Sequence, residues 1–302
     1  MPTPGSAPHA RRHRPQLGIL MMLGTVACLS VMEAGAKYLT QTQPYEMVVW
    51  GRYVFHFAFT VPIFLTPTTV RLVFTRHLRM HTLRSLFLVG GTFSGIGALS
   101  LLPLAEATAL IFTAPLIVTL LSPLILKESV GWRRRAAIAV GFLGVLIILR
   151  PGTEFMKIAA LLPLLASLFY ACYQVATRLL SFVDHPLTLF FYTSLVGAVV
   201  TSLIVPFYWS SLTRQEWLIL VGVGFMGFAG QYLLIKAFQY AEASTVAPFI
   251  YAQLLLAVFF GWWIFDELPD IWVLLGAAVV IGSGMYIWWR EAQRARAAAE
   301  DQ

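Results

Sequence analysis

The stretch Arg84 to Leu126, RSLFLVGGTFSGIGALSLLPLAEATALIFTAPLIVTLLSPLIL, decides how the chain is built. After Arg84 it holds one charged residue, Glu106, and it is long enough to cross a ~30 Å hydrocarbon core twice as helix at 1.5 Å per residue. Its break is Leu101-Leu102-Pro103. Proline removes a helix hydrogen bond and clashes with the preceding turn, so a tight turn is expected there. Merged, the stretch would leave the chain with nine spans; divided, it gives ten.

Working outward, apolar runs bounded by polar or Pro/Gly punctuation predict spans near 17–40, 46–65, 84–102, 104–126, 132–149, 157–178, 187–208, 216–236, 244–265 and 271–289. Composition agrees. Of 302 residues 59% are hydrophobic and 12% charged, whereas about a quarter are charged in ordinary soluble domains. Residues 1–16 are polar and carry Arg11, Arg12 and Arg14. The apolar run that follows is too long for a signal-peptide core and lacks a small-residue cleavage site, so it is expected to be retained. Cys28 and Cys172 fall within spans, and no Cys/His cluster has ligand spacing. No disulfide, metal or cofactor is expected.

Lysines and arginines collect on alternate sides only if the span count is right. With the N-terminus inside, 16 of the 21 fall in cytoplasmic segments, among them Arg84, Arg133 to Arg135, Arg178 and Arg290. Arg150, Lys157 and Arg214 fall outside, and Lys37 and Arg52 lie inside spans. The net charge of +7 is therefore read as a topology signal, with no nucleic-acid partner. Both termini are placed in the cytoplasm, with the spans in a bacterial inner membrane.

Ala105-Glu106-Ala107-Thr108 matches Ala241-Glu242-Ala243-Ser244, each opening an apolar span that ends in an acidic turn, Lys127-Glu128 or Asp266-Glu267. Five spans make one copy. Because five is odd, the second copy enters from the opposite side, as in carriers built from inverted repeats. The fold class expected is an all-α membrane protein of ten transmembrane helices in a 5+5 inverted repeat. Its parts are a cytoplasmic tail at 1–16, repeats at 17–150 and 151–290, and a tail at 291–302.

Ionisable groups within spans cost a few kcal/mol and mark functional sites. Glu33 and Lys37 share a face of the first span, and Arg52 and His56 a face of the second, each pair four residues apart. Glu33 and Arg52 are about equally far from the turn between these spans, roughly 14 Å deep. An ion pair between them is therefore expected if the helices are neighbours, acting either as a lock between spans one and two or as part of a substrate or proton route. For His56 the two roles are a packed neutral ring or a proton relay. Tyr170, Gln174 and Arg178 form an i, i+4 stripe beside Tyr173, and Gln231, Tyr232, Tyr251 and Gln253 add uncharged hydrogen-bonding groups. Tyr173, Gln174 and Gln253 rank highest by depth; bracing between helices is the competing role for all of these. Pro115 and Pro248 sit inside spans four and nine, where kinks are expected.

Ala36-Lys37-Tyr38-Leu39, Trp50-Gly51-Arg52-Tyr53, the run GFLGVLIILRP at 141–151, Ala247-Pro248-Phe249-Ile250-Tyr251 and FDELPD at 265–270 resemble the drug/metabolite transporter superfamily, EamA type. The resemblance runs from about 17 to 290, and the segment from Leu234 to Asp270 is most similar to S-adenosylmethionine uptake carriers and related riboflavin carriers. It implies alternating access around a central cavity lined by both halves. Glu33 stands where the family often carries Asp, which keeps the acid and lengthens its reach.

The function expected is a secondary transporter of a small organic metabolite, with the lipid bilayer as its other partner. A Walker-type loop is absent, so coupling is expected from an ion gradient, exchange or downhill flow. The alternatives are a lipid-modifying membrane enzyme, for which no clustered His/Asp set is present, and a membrane scaffold without transport. Direction, coupling ion and oligomeric state carry no signature in the sequence.

Overall fold

The computed structural model describes residues 14–125, 131–150 and 158–300, and among them every regular element is helical. The α-helices longer than four residues are α1 (Pro15–Thr40), α2 (Tyr45–Thr60), α3 (Leu78–Leu99), α4 (Leu104–Ile111), α5 (Ala114–Ile125), α6 (Trp132–Leu149), α7 (Leu161–Leu180), α8 (Pro186–Ile204), α9 (Arg214–Tyr240), α10 (Ala252–Phe265) and α11 (Ile271–Glu300). Among the described residues, 8 candidate spans are long and apolar enough to cross a membrane, and Arg135–Leu149 within α6 is a shorter apolar helix.

Local chemistry sets the ends. Pro15 and Pro186 open α1 and α8, where a missing N–H costs nothing and φ is already helical. Thr213 and Glu216 form a reciprocal capping box at the start of α9. The turn expected at Leu101-Leu102-Pro103 is present, separating α3 from α4. Pro115 breaks the next span: α4 stops at Ile111, α5 starts at Ala114, and the Thr113 hydroxyl donates to Leu110 O at 2.8 Å. Pro248 does the same to the ninth span, where a 3₁₀ turn at Ala247–Tyr251 precedes α10. Both proline-bearing spans are thus discontinuous.

Two boundaries differ from expectation. The third span begins at Leu78, not near 84, so His81 is helical and Arg84, expected at the span edge, lies nearly two turns inside the helix, and both are buried. The hydrogen bonds described below make that burial tolerable. The last helix runs on to Glu300, past the span end expected at 289.

The first 150 residues and the part after 157 interlock. α1 packs along α9, α6 along α11, α3 along α7, and α2 against both α8 and α9. In lipid, burying a leucine gains little over leaving it among acyl chains, so close van der Waals contact between small residues carries the association. Gly144 and Gly276 show it: a Cβ on Gly144 would sit 2.8 Å from Gly276 O. Ala34, Ala36, Ala98, Ala107 and Ala166 are buried for the same reason, while Leu203, Leu255 and Trp263 face outward.

Each end of the bundle is tied across these two parts. At one end Lys37 Nζ donates to Leu102 O at 2.6 Å and pairs with Glu267 at 2.9 Å, while Glu267 accepts from Leu104 N at 3.1 Å. There Arg150 pairs with Asp270 at 2.7 Å, and Thr42 and Gln43 donate to Glu216 at 2.6 and 2.8 Å. At the other end Asp184 accepts from Thr75 at 2.8 Å and faces His81 Nε2 at 2.8 Å and His77 Nδ1 at 3.4 Å.

Candidate functional site

Midway between these ends α1, α2, α3, α7, α9 and α10 converge on a polar cluster. Glu33 on α1 accepts at Oε1 from Gln253 Nε2, 2.8 Å away near the start of α10. Arg52 on α2 donates from a terminal nitrogen to the Thr92 hydroxyl of α3 at 2.8 Å, and that hydroxyl is also bonded to Tyr53 at 2.9 Å. Tyr170 of α7 lies within interaction range of Thr92, Arg52 and Glu33. His56, one turn from Arg52, is packed between Phe190 and Phe228, ring centroids 5.2 and 6.1 Å away. On the α9 side the backbone packs closely: a Cβ on Gly227 would stand 3.3 Å from Met32 Sδ, 3.8 Å from His56 Nδ1 and 3.9 Å from Arg52 Nε.

The expected Glu33–Arg52 ion pair is not made. Each residue is turned to a different helix, Glu33 to α10 and Arg52 to α3, although the two remain in electrostatic contact. Burial without direct pairing leaves Glu33 Oε2, Arg52 Nε, His56 Nε2 and Ser30 Oγ enclosed and without hydrogen-bond partners. Buried polar atoms are nearly always satisfied, so four such atoms on two neighbouring helices mark a place where polar chemistry is held in reserve.

The other expected residues are distributed differently. Gln253 is in the cluster, and Gln231, half-buried, lies one turn along α9 from Gly227 on the same face. Lys37 is one turn away from Glu33 and belongs to the Glu267 tie. Tyr173 points to the opposite end, where its hydroxyl accepts from Arg84 at 2.7 Å. Tyr251 packs against Phe112 with its ring tilted by 40° and its hydroxyl at Gly284. Gln174 is exposed on the outside of α7, so its ranking by depth is corrected by the helix phase, which turns that position outward.

Arg84 is the most connected residue that sequence reasoning missed. Besides Tyr173 it donates to Thr177 at 2.6 Å, Leu189 O at 3.0 Å and Thr193 at 2.8 Å, drawing α7 and α8 onto α3. The signal was present: His77, His81, Arg84, Ser85 and Thr92 follow helical spacing and continue the polar stripe into the apolar run. Beside it, partial burial raises the pKa of Asp184, but hydrogen bonds from His81 and Thr75 outweigh this and leave it below the usual carboxylate value. The stabilisation this carboxylate brings is therefore present at neutral pH and lost as pH falls through its depressed pKa.

The EamA-like transporter family matches residues 16–150 and again 157–289. The chain is similar to a riboflavin transporter of Vibrio cholerae, 32% identical, with 94% of this chain and 97% of that protein aligned. It is also similar to an S-adenosylmethionine uptake transporter of Rickettsia prowazekii, 28% identical over 94% and 97%. A protein crystal structure aligns at a TM-score of 0.63 with 19% identity, covering 92% of this chain and 98% of the other, a likeness of fold alone. The named relatives are transporters, and nothing in them favours the lipid-enzyme or scaffold readings.

Proposed function

The chain belongs to the EamA-like transporter family and is a multi-pass bacterial inner-membrane transporter of a small molecule, and from that premise we propose a secondary carrier working by alternating access on a riboflavin-, S-adenosylmethionine- or amino-acid-like metabolite. The observation that carries the reading is the Glu33–Gln253 hydrogen bond, which joins the first and second family matches beside unspent buried polar atoms. Glu33, Arg52, His56, Gln231 and Gln253 are the residues of the route. Lys37 gates it, and Tyr173 and Tyr251 brace it.

Ten crossings follow if α6 and α7 serve as the fifth and sixth, giving repeats at 17–150 and 151–290 between cytoplasmic tails. Two supports favour the inverted arrangement: the bias of basic residues, and the pair of spans broken at Pro115 and Pro248, since discontinuous helices in matching positions of two halves frame carrier sites. In this topology the Lys37–Glu267, Arg150–Asp270 and Glu216–Gln43 ties close the outer mouth, and the Asp184 and Arg84 bonds close the inner one.

Purified protein in liposomes should drive protein-dependent accumulation of labelled riboflavin, S-adenosylmethionine or an amino acid; absence of flux for all three classes would contradict a carrier of this kind. Lys37→Met should slow that flux by about tenfold, the equivalent of ~1.4 kcal/mol, through an outer mouth that no longer closes cleanly. Ligand affinity should hardly change, because Lys37 touches the gate. An affinity loss as large as the loss of flux would place Lys37 in the binding site instead.

A further inference from the structure

We propose that the furrow between α6 and α11 is a binding site for an anionic diacyl phospholipid, its phosphate held by Arg133 and Arg290 and one acyl chain laid along the furrow. The site is separate from the cluster around Glu33 and asks nothing of the transported substrate.

The furrow follows from the small residues that bring the two helices together. They pack antiparallel, Gly144 against Gly276 and Gly141 against Ser283, where a Cβ on Gly141 would sit 2.6 Å from Ser283 Oγ. On the outer side the same lack of side chains leaves a gap. Ala136 and Gly282 line its floor, and a Cβ on Gly282 would meet nothing within 4 Å among the described residues. Trp132, Val140 and Tyr286 form its walls, and its volume is about 400 Å³.

Charge gathers at one end of this furrow. Arg133 lines it on α6, and on α11 Gly282, Tyr286 and Arg290 follow an i, i+4, i+8 stripe. Ile138 and Ile287 share one packed cluster, so the antiparallel register carries Arg290 to the level of the first turn of α6. Among the described residues neither arginine pairs with a carboxylate: Arg133 is exposed with its guanidinium 5.5 Å from the Trp132 ring, and Arg290 donates one bond, to Gln293 at 3.0 Å. Tyr286 and Trp289, ring centroids 6.0 Å apart, stand beside them, as aromatic residues do at headgroup depth. This is the cytoplasmic side in the topology proposed above, where basic pockets between helices take anionic headgroups.

Shape decides between a lipid and a second copy of the chain. From Trp132 to Val140 the furrow runs roughly 12 Å along α6, so its volume corresponds to a section of roughly 33 Å². That is less than half the section of a helix with its side chains, about 10–12 Å across, but enough for an extended hydrocarbon chain. The apolar walls take the chain, and two unneutralised arginines at the headgroup end favour a net negative phosphate over a zwitterionic headgroup, whose own ammonium would be repelled.

The test is thermal stabilisation of the full-length protein in detergent by added dioleoyl lipid, because a ligand that binds only the folded state raises the melting point. Phosphatidylglycerol is compared with phosphatidylethanolamine, and glycerol 3-phosphate serves as the chain-free anion. One basic residue near an anionic surface contributes about fivefold in affinity, so phosphatidylglycerol should bind at least about tenfold more tightly than phosphatidylethanolamine, and glycerol 3-phosphate should give no shift. Arg133→Gln and Arg290→Gln should each weaken phosphatidylglycerol about fivefold and leave phosphatidylethanolamine unchanged. Gly282→Leu fills the furrow from a position that touches no other helix, so it should melt like the parent without lipid and lose the stabilisation by phosphatidylglycerol. Equal affinity for the two lipids, an equal shift from glycerol 3-phosphate, no shift from any lipid, or a phosphatidylglycerol preference that survives the two arginine variants would overturn the site. A mass that doubles with concentration, and no longer does so in Gly282→Leu, with no lipid preference in the parent, would overturn it in favour of an interface between copies.

Discussion

Glu33→Gln is expected to reduce substrate flux in liposomes about 100-fold while the ligand-free protein melts within a few degrees of the parent. The magnitude follows from the hydrogen bond: one made to a charged group is worth about 1.5–3 kcal/mol, and every 1.4 kcal/mol is tenfold, so losing one near the top of that range costs about 100-fold. The unchanged melting point follows from geometry. The scaffold contact of Glu33 is the 2.8 Å bond from Gln253, which the carbonyl of a glutamine can also accept, and the oxygen that changes character is Oε2, which has no hydrogen-bond partner in the empty protein. Flux and melting temperature measured on the same preparation separate the roles. Unchanged flux would make Glu33 a packing residue, and a collapse of the melting point would make it a lock between helices.

Arg84→Ala should do the opposite, lowering the melting point of the ligand-free protein more than any other single change proposed. The side chain is 3% exposed and donates to Tyr173, Thr177, Thr193 and Leu189 O. Its guanidinium also lies over the Tyr173 ring at 4.4 Å. Truncation would strand these acceptors and cut the ties of α7 and α8 to α3. Individual interhelical hydrogen bonds in membranes average about 0.6 kcal/mol, so the four together are worth roughly 2–3 kcal/mol before lost packing is added. Arg84→Lys should recover only part, since an ammonium cannot reproduce the planar fork that serves two helices together. A variant melting like the parent would show that α7 and α8 are held by packing alone.

Arg84 also shows where sequence reading stopped. The span pattern was legible because lipid demands long apolar runs, and the division at Pro103 held because proline cannot continue a helix. Glu33 and Arg52 stood out as charges in apolar surroundings, and Gln253 as an amide among leucines. Their partners did not, because two residues equally deep on adjacent helices need not face each other. The rotation of α1 toward α10 and of α2 toward α3 is set by packing between distant segments, with Gly227 opposite Arg52. Gln174 was misjudged for that reason: depth was readable, phase was not. Arg84 reads as a cytoplasmic charge at a span edge because charge near a span end is a topology signal, whereas the helix starts at Leu78 and carries it inward. Thr92 gave no signal of its own, being a common residue in a membrane helix until Arg52 and Tyr53 converge on it.

The central claim is that the cluster around Glu33 is open to the two faces of the membrane in turn. Ser30→Cys, made with Cys28 and Cys172 replaced by serine, places one thiol one turn from Glu33, and a membrane-impermeant thiol reagent applied to right-side-out and then to inverted vesicles reads its access. The account predicts labelling from both sides, slowed by substrate in each case, and faster labelling from outside when Lys37→Met is added. Labelling from one side only, indifferent to substrate and to Lys37, would contradict it.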